Sequence, residues 1–350
     1  MTPQTTGRKA IGFAVASAAL FGASMPLAKV LLPGTEPQLL AGLLYLGSGT
    51  GLGVYSALRR TRVQEARLMW ADIPWLAAAI VAGGILGPLL LMWGLVRTPA
   101  SITSLFLNLE GVFTASLAWF VFRENFDRRI ALGMGLIVAG GVCLSWKGPA
   151  QFGVGVLSIA GACLAWGIDN NLTRKVSASD PVRVASLKGL VAGSANAGLA
   201  LARGASWPTA GTIVLALVVG LLSYGVSLVL FVLALRHLGT ARTGAYYSTA
   251  PFVGAGLSIA LLAEPIGWRF GIAALLMGTG VWLHLTERHA HWHRHDPTFH
   301  DHLHTHDDHH QHRHSPADPP GEPHTHPHQH QELTHNHPHF PDIHHRHHHH

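Results

Sequence analysis

The stretch LMWGLVRTPASITSLFLNLEGVFTASLAWFVFRE (residues 91–124) decides the fold, because the similar stretch FVLALRHLGTARTGAYYSTAPFVGAGLSIALLAE (residues 231–264) follows it 140 residues later. The shift of 140 places Glu124 over Glu264. Two unrelated apolar segments would share hydrophobicity, but they would not share acidic residues at the same loop position. The chain therefore contains an internal repeat.

The apolar runs of the chain have the length of membrane-spanning helices. Of its 350 residues, 48% are hydrophobic and only 12% are charged, compared with about one quarter in soluble domains. A membrane helix needs roughly 20 apolar residues, and a buried soluble core is the alternative, but so many runs leave no face for solvent. We predict an all-α membrane protein with ten transmembrane helices. The runs cover residues 10–28, 37–58, 73–96, 98–122, 130–146, 148–168, 184–202, 204–235, 243–263 and 270–286.

Five runs fall in each half, and the halves are also similar near their starts. LFGASMPLAK (20–29) matches AWGIDNNLTRK (165–175), with Gly22 over Gly167. Because five is an odd number of spans, the second half must cross the membrane in the opposite direction. Such inverted repeats are typical of secondary transporters, whose solute site lies near the midplane between the halves. We predict two inverted five-helix repeats and a tail, at residues 1–146, 147–288 and 289–350.

The distribution of Lys and Arg predicts the orientation. With the N-terminus inside the cell, the inner segments hold 14 Lys and Arg residues and the outer segments hold five. The positive-inside rule thus places both termini in the cytoplasm. The first apolar run is followed by many similar runs, so we interpret it as a span rather than a secretory signal. The expected location is the inner (plasma) membrane, crossed several times.

Paired motifs in the two halves resemble those of a known family. Phe21-Gly22 in the first span, Trp166-Gly167 in the sixth, and the glutamates that close the fourth and ninth spans are similar to motifs of EamA-type drug/metabolite transporters. The resemblance covers roughly residues 9 to 286. It implies secondary transport of a small solute, often the export of an amino acid or a related metabolite.

One position departs from the family pattern. The fourth span carries Glu110-Gly111, whereas its repeat partner carries Ala250-Pro251, and the form with proline is the commoner one in the family. Ligand contacts known from other members therefore do not transfer directly to this span.

Motifs of other functional classes are absent from the sequence. The chain has no H-E-x-x-H, no C-x-x-C and no P-loop, and its G-x-G fragments lie inside apolar runs. We therefore expect neither an enzyme nor an ATP-driven pump. The net charge of +6 does not indicate nucleic-acid binding, because the basic residues occur in short groups between apolar runs. Cys143 and Cys163 lie in apolar runs, where buried thiols are the simplest interpretation.

Charged residues within the spans indicate the solute pathway, because intramembrane charges usually face a cavity or a partner. Glu110 lies about 18 Å from the inner end of its span, near mid-bilayer. A functional role in proton coupling is one interpretation of Glu110, and a neutral carboxyl bonded to a neighbouring helix is the other. Asp169 and Lys188 share a depth of about 8–10 Å on consecutive antiparallel helices. They predict a structural salt bridge, a wet helix end, or solute contact together with Asn170 and Asn171.

We predict that these residues line a solute and proton pathway with neighbouring polar and aromatic side chains. The full set is Glu110, Asn108, Asp169, Asn170, Asn171, Lys188, Trp166 and Tyr247. Packing, or anchoring at the membrane interface, is the alternative role of the aromatic members. No catalytic residue and no required cofactor are expected.

The C-terminal tail has a composition unlike that of the spans. Residues 289–350 hold 25 of the 27 histidines, and eight acidic residues against three arginines. Many Pro and His residues and few apolar ones predict disorder. Alternating His-x-His places imidazoles on one side of an extended chain, which suits nickel, zinc, cobalt or copper. The predicted metal ligands are His291, His293, His295, His300, His302, His304, His306, His324, His326, His328 and His330.

The leading functional hypothesis is a secondary transporter that exports a small metabolite, such as an amino acid, with or without proton coupling. The rival hypothesis is a permease for nickel, cobalt or zinc, with the tail as ion collector. The spans contain no His cluster and no Cys–His pair, which disfavours the rival because carboxylates alone ligate such ions poorly. A membrane-tethered metal store is disfavoured because an anchor needs far fewer spans. The expected partners are the solute, the lipid bilayer and divalent metal ions at the tail, but not nucleic acid.

Overall fold

The computed structural model describes residues 3–58, 69–122, 128–145, 153–173 and 180–286, and four tail segments, 290–295, 299–304, 324–329 and 333–338. Up to Thr286, the described regular structure is helical, with a short 3₁₀ turn at Trp70–Asp72. The α-helices are α1 (Pro3–Leu31), α2 (Pro37–Leu58), α3 (Ile73–Ala79), α4 (Gly87–Arg97), α5 (Ala100–Phe106), α6 (Asn108–Phe122), α7 (Arg128–Ser145), α8 (Val154–Thr173), α9 (Pro181–Ala202), α10 (Ala210–Gly220), α11 (Ser227–Tyr247), α12 (Ala250–Leu262) and α13 (Trp268–Leu285).

Seven helical segments in the described part of the chain are long and apolar enough to cross a membrane. The structure therefore agrees with the prediction of an all-helical protein that spans the membrane several times. The shorter helix α12 is apolar as well. The seven segments are Lys9–Leu31, Pro37–Leu58, Trp70–Arg97, Ala100–Val121, Arg128–Ser145, Val182–Ala202 and Ala210–Ala234.

Two of the long segments contain a stretch of π-helix. Ile80–Leu86 joins α3 to α4, and Leu221–Val226 joins α10 to α11. The two stretches lie at nearly equivalent positions under the 140-residue shift of the repeat. A π-turn widens the helix and changes the pairing of its backbone carbonyls, and such turns are frequent at functional sites.

Two helix ends differ from the predicted spans. The fourth predicted span is interrupted at Leu107, whose N–H donates to Ser104 O at 3.1 Å, so that α6 starts anew at Asn108. The loop predicted between the eighth and ninth spans is helical instead, because α11 runs through Arg236 and Arg242. Arginine ends an apolar run but is a good helix former, so the loss of hydrophobicity does not mark the helix end.

Close helix crossings that are lined with glycine hold the bundle together. α2 packs along α9, where Gly49 meets Gly189 and Gly42 meets Ala197, an order that makes the two helices antiparallel. α7 packs along α13, α1 on α11 and α12, and α8 on α4 and α6. Small residues at such crossings let the backbones approach closely, which is a main source of helix association in lipid.

Gly220→Ala is expected to destabilise this packing. A Cβ built at Gly220, the last residue of α10, would overlap the backbone carbonyl oxygen of Leu44 on α2. Because a backbone atom cannot rotate away, we expect the substitution to lower the free energy of unfolding by roughly 1–3 kcal/mol. Gly256→Ala on α12 is the matched control, since a Cβ there would meet nothing within 4 Å. Thermal unfolding in detergent measures both variants, and equal melting temperatures would contradict the close crossing.

Glu264, one of the two acids that the repeat aligns, caps a helix of the first half. Its carboxylate accepts hydrogen bonds from the N–H groups of Ala100 (2.7 Å) and Ser101 (2.8 Å) at the start of α5. A negative charge at a helix N-terminus is favourable because it meets the positive end of the helix dipole. The repeat partner, Glu124, lies outside the described residues.

Lys29 caps the C-terminal end of α4, on the other side of the junction between α4 and α5. Its Nζ donates to the carbonyl oxygens of Leu95 and Thr98, the latter at 2.9 Å, at the end of α4. A cation at a helix C-terminus is the complementary arrangement to an acid at an N-terminus. The α4–α5 junction is therefore held from both sides by charged groups.

The tail differs in part from the predicted disorder. It contains the strands β1 (Ala290–His295), β2 (Phe299–His304), β3 (His324–Gln329) and β4 (Leu333–Pro338). β1 pairs antiparallel with β4, and β2 pairs antiparallel with β3. The period-two alternation of His-x-His matches the period of a β-strand, whereas the prediction of disorder rested on composition. The predicted ligands His306 and His330 lie outside the described residues.

Candidate functional site

The π-helical stretch between α3 and α4 gathers side chains from three other helices. The Gly83 carbonyl accepts hydrogen bonds from the Tyr45 hydroxyl (3.1 Å) and from the Trp166 indole N–H (2.9 Å). The neighbouring Gly84 carbonyl accepts from Asn196 Nδ2 at 3.0 Å. The backbone carbonyls of the π-helical stretch thus accept hydrogen bonds that connect α2, α8 and α9 to the middle of this span.

Glu110 lies in the first turn of α6, directly after the interruption of the fourth span. Its Oε1 accepts a hydrogen bond from Asn170 Nδ2 on α8 at 2.9 Å, and the same Nδ2 lies 3.2 Å from the Thr114 hydroxyl. The side chain is half-buried, and the N-terminal end of α6 favours a negative charge there. Asn108 donates instead to Leu105 O at 2.9 Å and so stabilises the interruption.

Glu110 forms no ion pair within the described part of the chain. The hydrogen-bond donor to its carboxyl is the neutral amide of Asn170.

The structure contains an ion pair between α8 and α9, which is one of the alternatives that the sequence leaves open. Lys188 Nζ lies 2.5 and 2.8 Å from the two carboxylate oxygens of Asp169. The Thr173 hydroxyl donates to Asp169 (2.8 Å) and accepts from Lys188 (3.1 Å). The side chains expose only 10% (Asp169) and 17% (Lys188) of their surface. Each charge is matched by the other, which favours the structural interpretation over direct contact with a solute.

Asp169 and Asn171, two of the predicted site residues, also pack closely against backbone atoms. A Cβ built at Gly83 would overlap the Asp169 carboxylate, so this position of the π-helical stretch has room only for glycine. Asn171 is buried and donates to Thr114 O (3.1 Å) and Gly167 O (2.8 Å). Because both acceptors of Asn171 are backbone groups, its geometry favours packing between α8 and α6.

Five aromatic side chains form a row of ring contacts, here called the aromatic row. In order, the row is Tyr45, Tyr224, Phe21, Tyr247 and Phe231. Successive ring centroids lie 5.6, 5.9, 5.5 and 4.8 Å apart, in tilted and edge-to-face arrangements. All five side chains are half-buried. The Tyr45 hydroxyl also donates to the Gly83 carbonyl, so the row meets the π-helical stretch at one end.

The structure brings most predicted residues together and adds several. Trp166 joins the site through Gly83, and Tyr247 through the aromatic row. Tyr45, Tyr224 and Phe21 were not predicted, because periodicity does not distinguish them from packing residues. The available signal was a tyrosine within otherwise aliphatic runs, GLLYLGSG and LLSYGV, since a buried phenol requires a polar partner.

Metal binding by the tail stays a prediction. The backbone register sets His293 opposite His335 and His302 opposite His326 across the two strand pairs. Among the described residues, no group of three or more His, Cys, Asp and Glu could hold a metal ion. Cys143 and Cys163 are free thiols, and Cys163 is buried.

Comparison with known proteins places the whole helical region in one family. The sequence profile of the EamA-like transporter family matches residues 8–146 and again residues 153–286. The chain belongs to the EamA-like transporter family. The resemblance inferred from the paired motifs is thereby confirmed, and this EamA-like protein is a multi-pass membrane transporter.

Individual relatives of this EamA-like transporter agree with that assignment. A protein from Methanothermobacter thermautotrophicus described as an uncharacterized transporter is 27% identical over 283 residues, 75% of this chain and 82% of the relative. A solved crystal structure shares 18% identity at a TM-score of 0.59, covering 79% of this chain and 96% of that chain. At this identity the structural likeness concerns the fold alone.

Proposed function

We propose that this EamA-like transporter is a secondary active exporter of a small metabolite and that Glu110 couples export to proton movement. The observation that carries the proposal is the setting of Glu110. It is half-buried at mid-span, held by Asn170, and without an ion pair among the described residues. A carboxyl inside a membrane span is expensive unless it has a partner or a function. Asp169 has a partner in Lys188, whereas Glu110 has dipolar neighbours, a setting that suits a group that gains and loses a proton.

The proposal includes ten spans in two inverted repeats, residues 1–146 and 147–288, with both termini in the cytoplasm. The helix packing supports this. The repeat pairs α1 with α8, α2 with α9, α4 with α11, α6 with α12 and α7 with α13, and replacing each helix by its counterpart reproduces the main contacts. The contacts α2–α9 and α7–α13 join counterparts, and the contacts of α1 with α11 and α12 become those of α8 with α4 and α6. The two family matches, to residues 8–146 and 153–286, divide the chain in the same way.

Single positions support the same symmetry. Gly22 packs against Gly254 on α12, and its repeat partner Gly167 packs against Thr114 on α6. Thr114 and Gly254 are 140 residues apart, which is the shift of the repeat. The glycines that align in sequence therefore also occupy equivalent crossings.

In the proposed mechanism the two halves rock around the region of Glu110 and the aromatic row. Inverted-repeat transporters expose a central site to each side of the membrane in turn by such motions. Glu264 of the second half caps α5 of the first half, so we expect this contact to loosen when the site opens on that side. No enzymatic step and no cofactor take part.

A sensitivity screen tests the proposed function. A strain that lacks the protein is exposed to a panel of metabolites and metal salts and complemented with the wild type or with Glu110→Gln at equal membrane levels. We expect hypersensitivity to a small metabolite that the wild type relieves and Glu110→Gln does not. A phenotype confined to nickel, cobalt or zinc salts would contradict the proposal and favour a metal permease.

Truncation after Glu287 is expected to leave transport unchanged. It removes 25 histidines and none of the helices that the structure describes, and we propose that the tail binds nickel, zinc, cobalt or copper without serving the transport step. The shortened protein should keep wild-type solute flux and lose tight retention on nickel resin, because clustered imidazoles provide that affinity. Loss of flux at normal membrane levels would contradict the separation of tail and transport.

A further inference from the structure

The helix packing differs between the two ends of the bundle. At one end, α5 of the first half packs against α12 of the second half and against α1. In the repeat, α5, α12 and α1 correspond to residues 240–246 of α11, to α6 and to α8. Among the described helices, α11 has no comparable packing against α6 or α8. One end is therefore closed by a contact between the halves that the other end lacks.

Glu264 holds the closed end together across the two halves. Its two carboxylate oxygens accept hydrogen bonds from the N–H groups of Ala100 (2.7 Å) and Ser101 (2.8 Å). Ala263, directly before it, follows α12 with a φ of 48° and is the one non-glycine residue with positive φ in the described chain. Such a costly conformation persists where the surrounding structure requires it. We call the contact of α5 with α12 and Glu264 the Glu264 interface.

The Glu264 interface also contains a hydroxyl without a hydrogen-bond partner. Ser104 of α5 is fully buried and lies against Gly254 of α12, and its Oγ has no partner among the described residues. Burying an unpaired hydroxyl costs free energy, whereas water would satisfy the same group in an open interface. The interface thus combines a contact that stabilises its closed form with a group that destabilises it. This balance suits an interface that separates during a transport cycle.

Space remains beside Glu110 in the same conformation. Asn170, which donates to Glu110, is exposed, and a Cβ built at Gly111 would meet no atom within 4 Å. With the orientation proposed above, the Glu264 interface lies at the outer side of the membrane and the unpacked end faces the cytoplasm. A solute that enters from the cytoplasm is what an exporter requires.

We propose that the Glu264 interface is the outer gate of this transporter, closed in the described conformation, and that Glu264 and Ser104 shift its equilibrium in opposite directions. The inference rests on the proposed transport function and names the residues that control one of the two openings. Glu264 stabilises the closed gate through its hydrogen bonds with the backbone of α5. Ser104 favours the open gate, because its hydroxyl gains a partner only when α5 and α12 separate.

The labelling rate of a cysteine at Thr114 from each side of the membrane tests the gate. Thr114→Cys is made in the full-length protein with Cys143→Ser and Cys163→Ser, and a membrane-impermeant thiol reagent is applied to right-side-out and to inside-out vesicles. Labelling from the outer side should be at least about tenfold slower than labelling from the cytoplasmic side, because the open form of the outer gate is the minor state. Equal rates, or faster labelling from the outer side, would overturn the inference.

Two variants of the gate should change the outer labelling rate in opposite directions. Glu264→Gln removes the charge and one of the two acceptor oxygens, so the rate should rise by about tenfold, as expected for the loss of a charged hydrogen bond. Ser104→Ala removes the unpaired hydroxyl, so the rate should fall several-fold. An outer rate that Glu264→Gln leaves unchanged, or that Ser104→Ala raises, would overturn the inference. If Glu264→Gln does not reach the membrane, Ser104→Ala still decides.

The matched controls lie outside the gate. Glu36→Gln changes an acid whose hydrogen bond from Leu39 N, at 2.7 Å, lies within the first half. Ser145→Ala changes a buried serine of α7 whose hydroxyl donates to Gly141 O at 2.7 Å within the same helix. Neither variant should change the outer labelling rate. Changes as large as those in Glu264→Gln and Ser104→Ala would overturn the assignment of the gate to these two residues.

Failure of this inference is distinguishable from failure of the proposed function. If the sensitivity screen identifies a metabolite but labelling is equally fast from both sides, the exporter stands and the closed outer gate is wrong. If no metabolite gives a phenotype and proteoliposomes show no solute flux, the transport proposal itself is wrong, whatever the labelling rates are.

Discussion

Glu110→Gln is expected to abolish solute flux driven by a pH gradient. Glutamine keeps the shape of the side chain and an oxygen that can accept from Asn170 Nδ2, now 2.9 Å from Glu110 Oε1. It cannot gain or lose a proton, so the site can no longer couple its two states to a proton gradient. In proteoliposomes with an imposed pH gradient, flux through the variant should fall to the level that is measured without a gradient.

The control for this experiment is a carboxylate away from the middle of the spans. Glu36 precedes α2 and accepts a hydrogen bond from Leu39 N at 2.7 Å. Glu36→Gln can keep that bond and should transport like the wild type. Gradient-driven flux at the wild-type level in Glu110→Gln would rule out the coupling role and leave Glu110 as a structural acid.

Asp169→Ala is expected to cause the largest loss of stability. The change leaves the Lys188 ammonium buried without its partner, and removing one member of a buried pair typically costs about 3–5 kcal/mol. It also empties the space that Gly83 provides for the carboxylate. The double variant Asp169→Ala with Lys188→Ala should recover part of the loss, because no unmatched charge remains.

Thermal unfolding of the purified variants measures this coupling. Arg183→Ala on α9 is the control, because the Arg183 side chain is 70% exposed and its contact with Asp180 is 3.7 Å long. An exposed pair of this kind contributes roughly 0–1 kcal/mol. Strictly additive effects of the two single changes at Asp169 and Lys188 would argue against the pair and favour solute contact.

The sequence predicts charge placement in this protein better than it predicts backbone detail. The Asp169–Lys188 pair could be anticipated, because two charges at one depth on consecutive spans each need a partner. The position of Glu110 within a span could also be anticipated, because Glu110 is the single charged residue of the apolar run at 98–122. The interruption of the helix at Leu107 could not be anticipated. Leu107 lies within an unbroken apolar run, and a helix that stops and restarts there does not change the hydropathy of the sequence.

The π-helical stretches and the aromatic row were also beyond sequence reasoning. A π-turn depends on how Gly83 is approached by Tyr45 and Trp166 from other helices, so local sequence does not determine it. The row joins Phe21 near the start of the chain to Tyr224 and Tyr247 in the second half. Contacts between residues so distant in sequence arise from the packing of the two halves, which a hydrophobic pattern does not specify.

Accessibility of a cysteine at Thr114 tests the central claim that one interior site opens to both sides of the membrane. Thr114 on α6 is half-buried and lies next to Asn170, 3.2 Å from its amide nitrogen. Thr114→Cys is made with Cys143→Ser and Cys163→Ser, and the variant is labelled with a membrane-impermeant thiol reagent in right-side-out and in inside-out vesicles. The account predicts labelling from both sides, because the two halves expose the site alternately. Labelling from one side only, or from neither side, in a variant that is otherwise folded would contradict it.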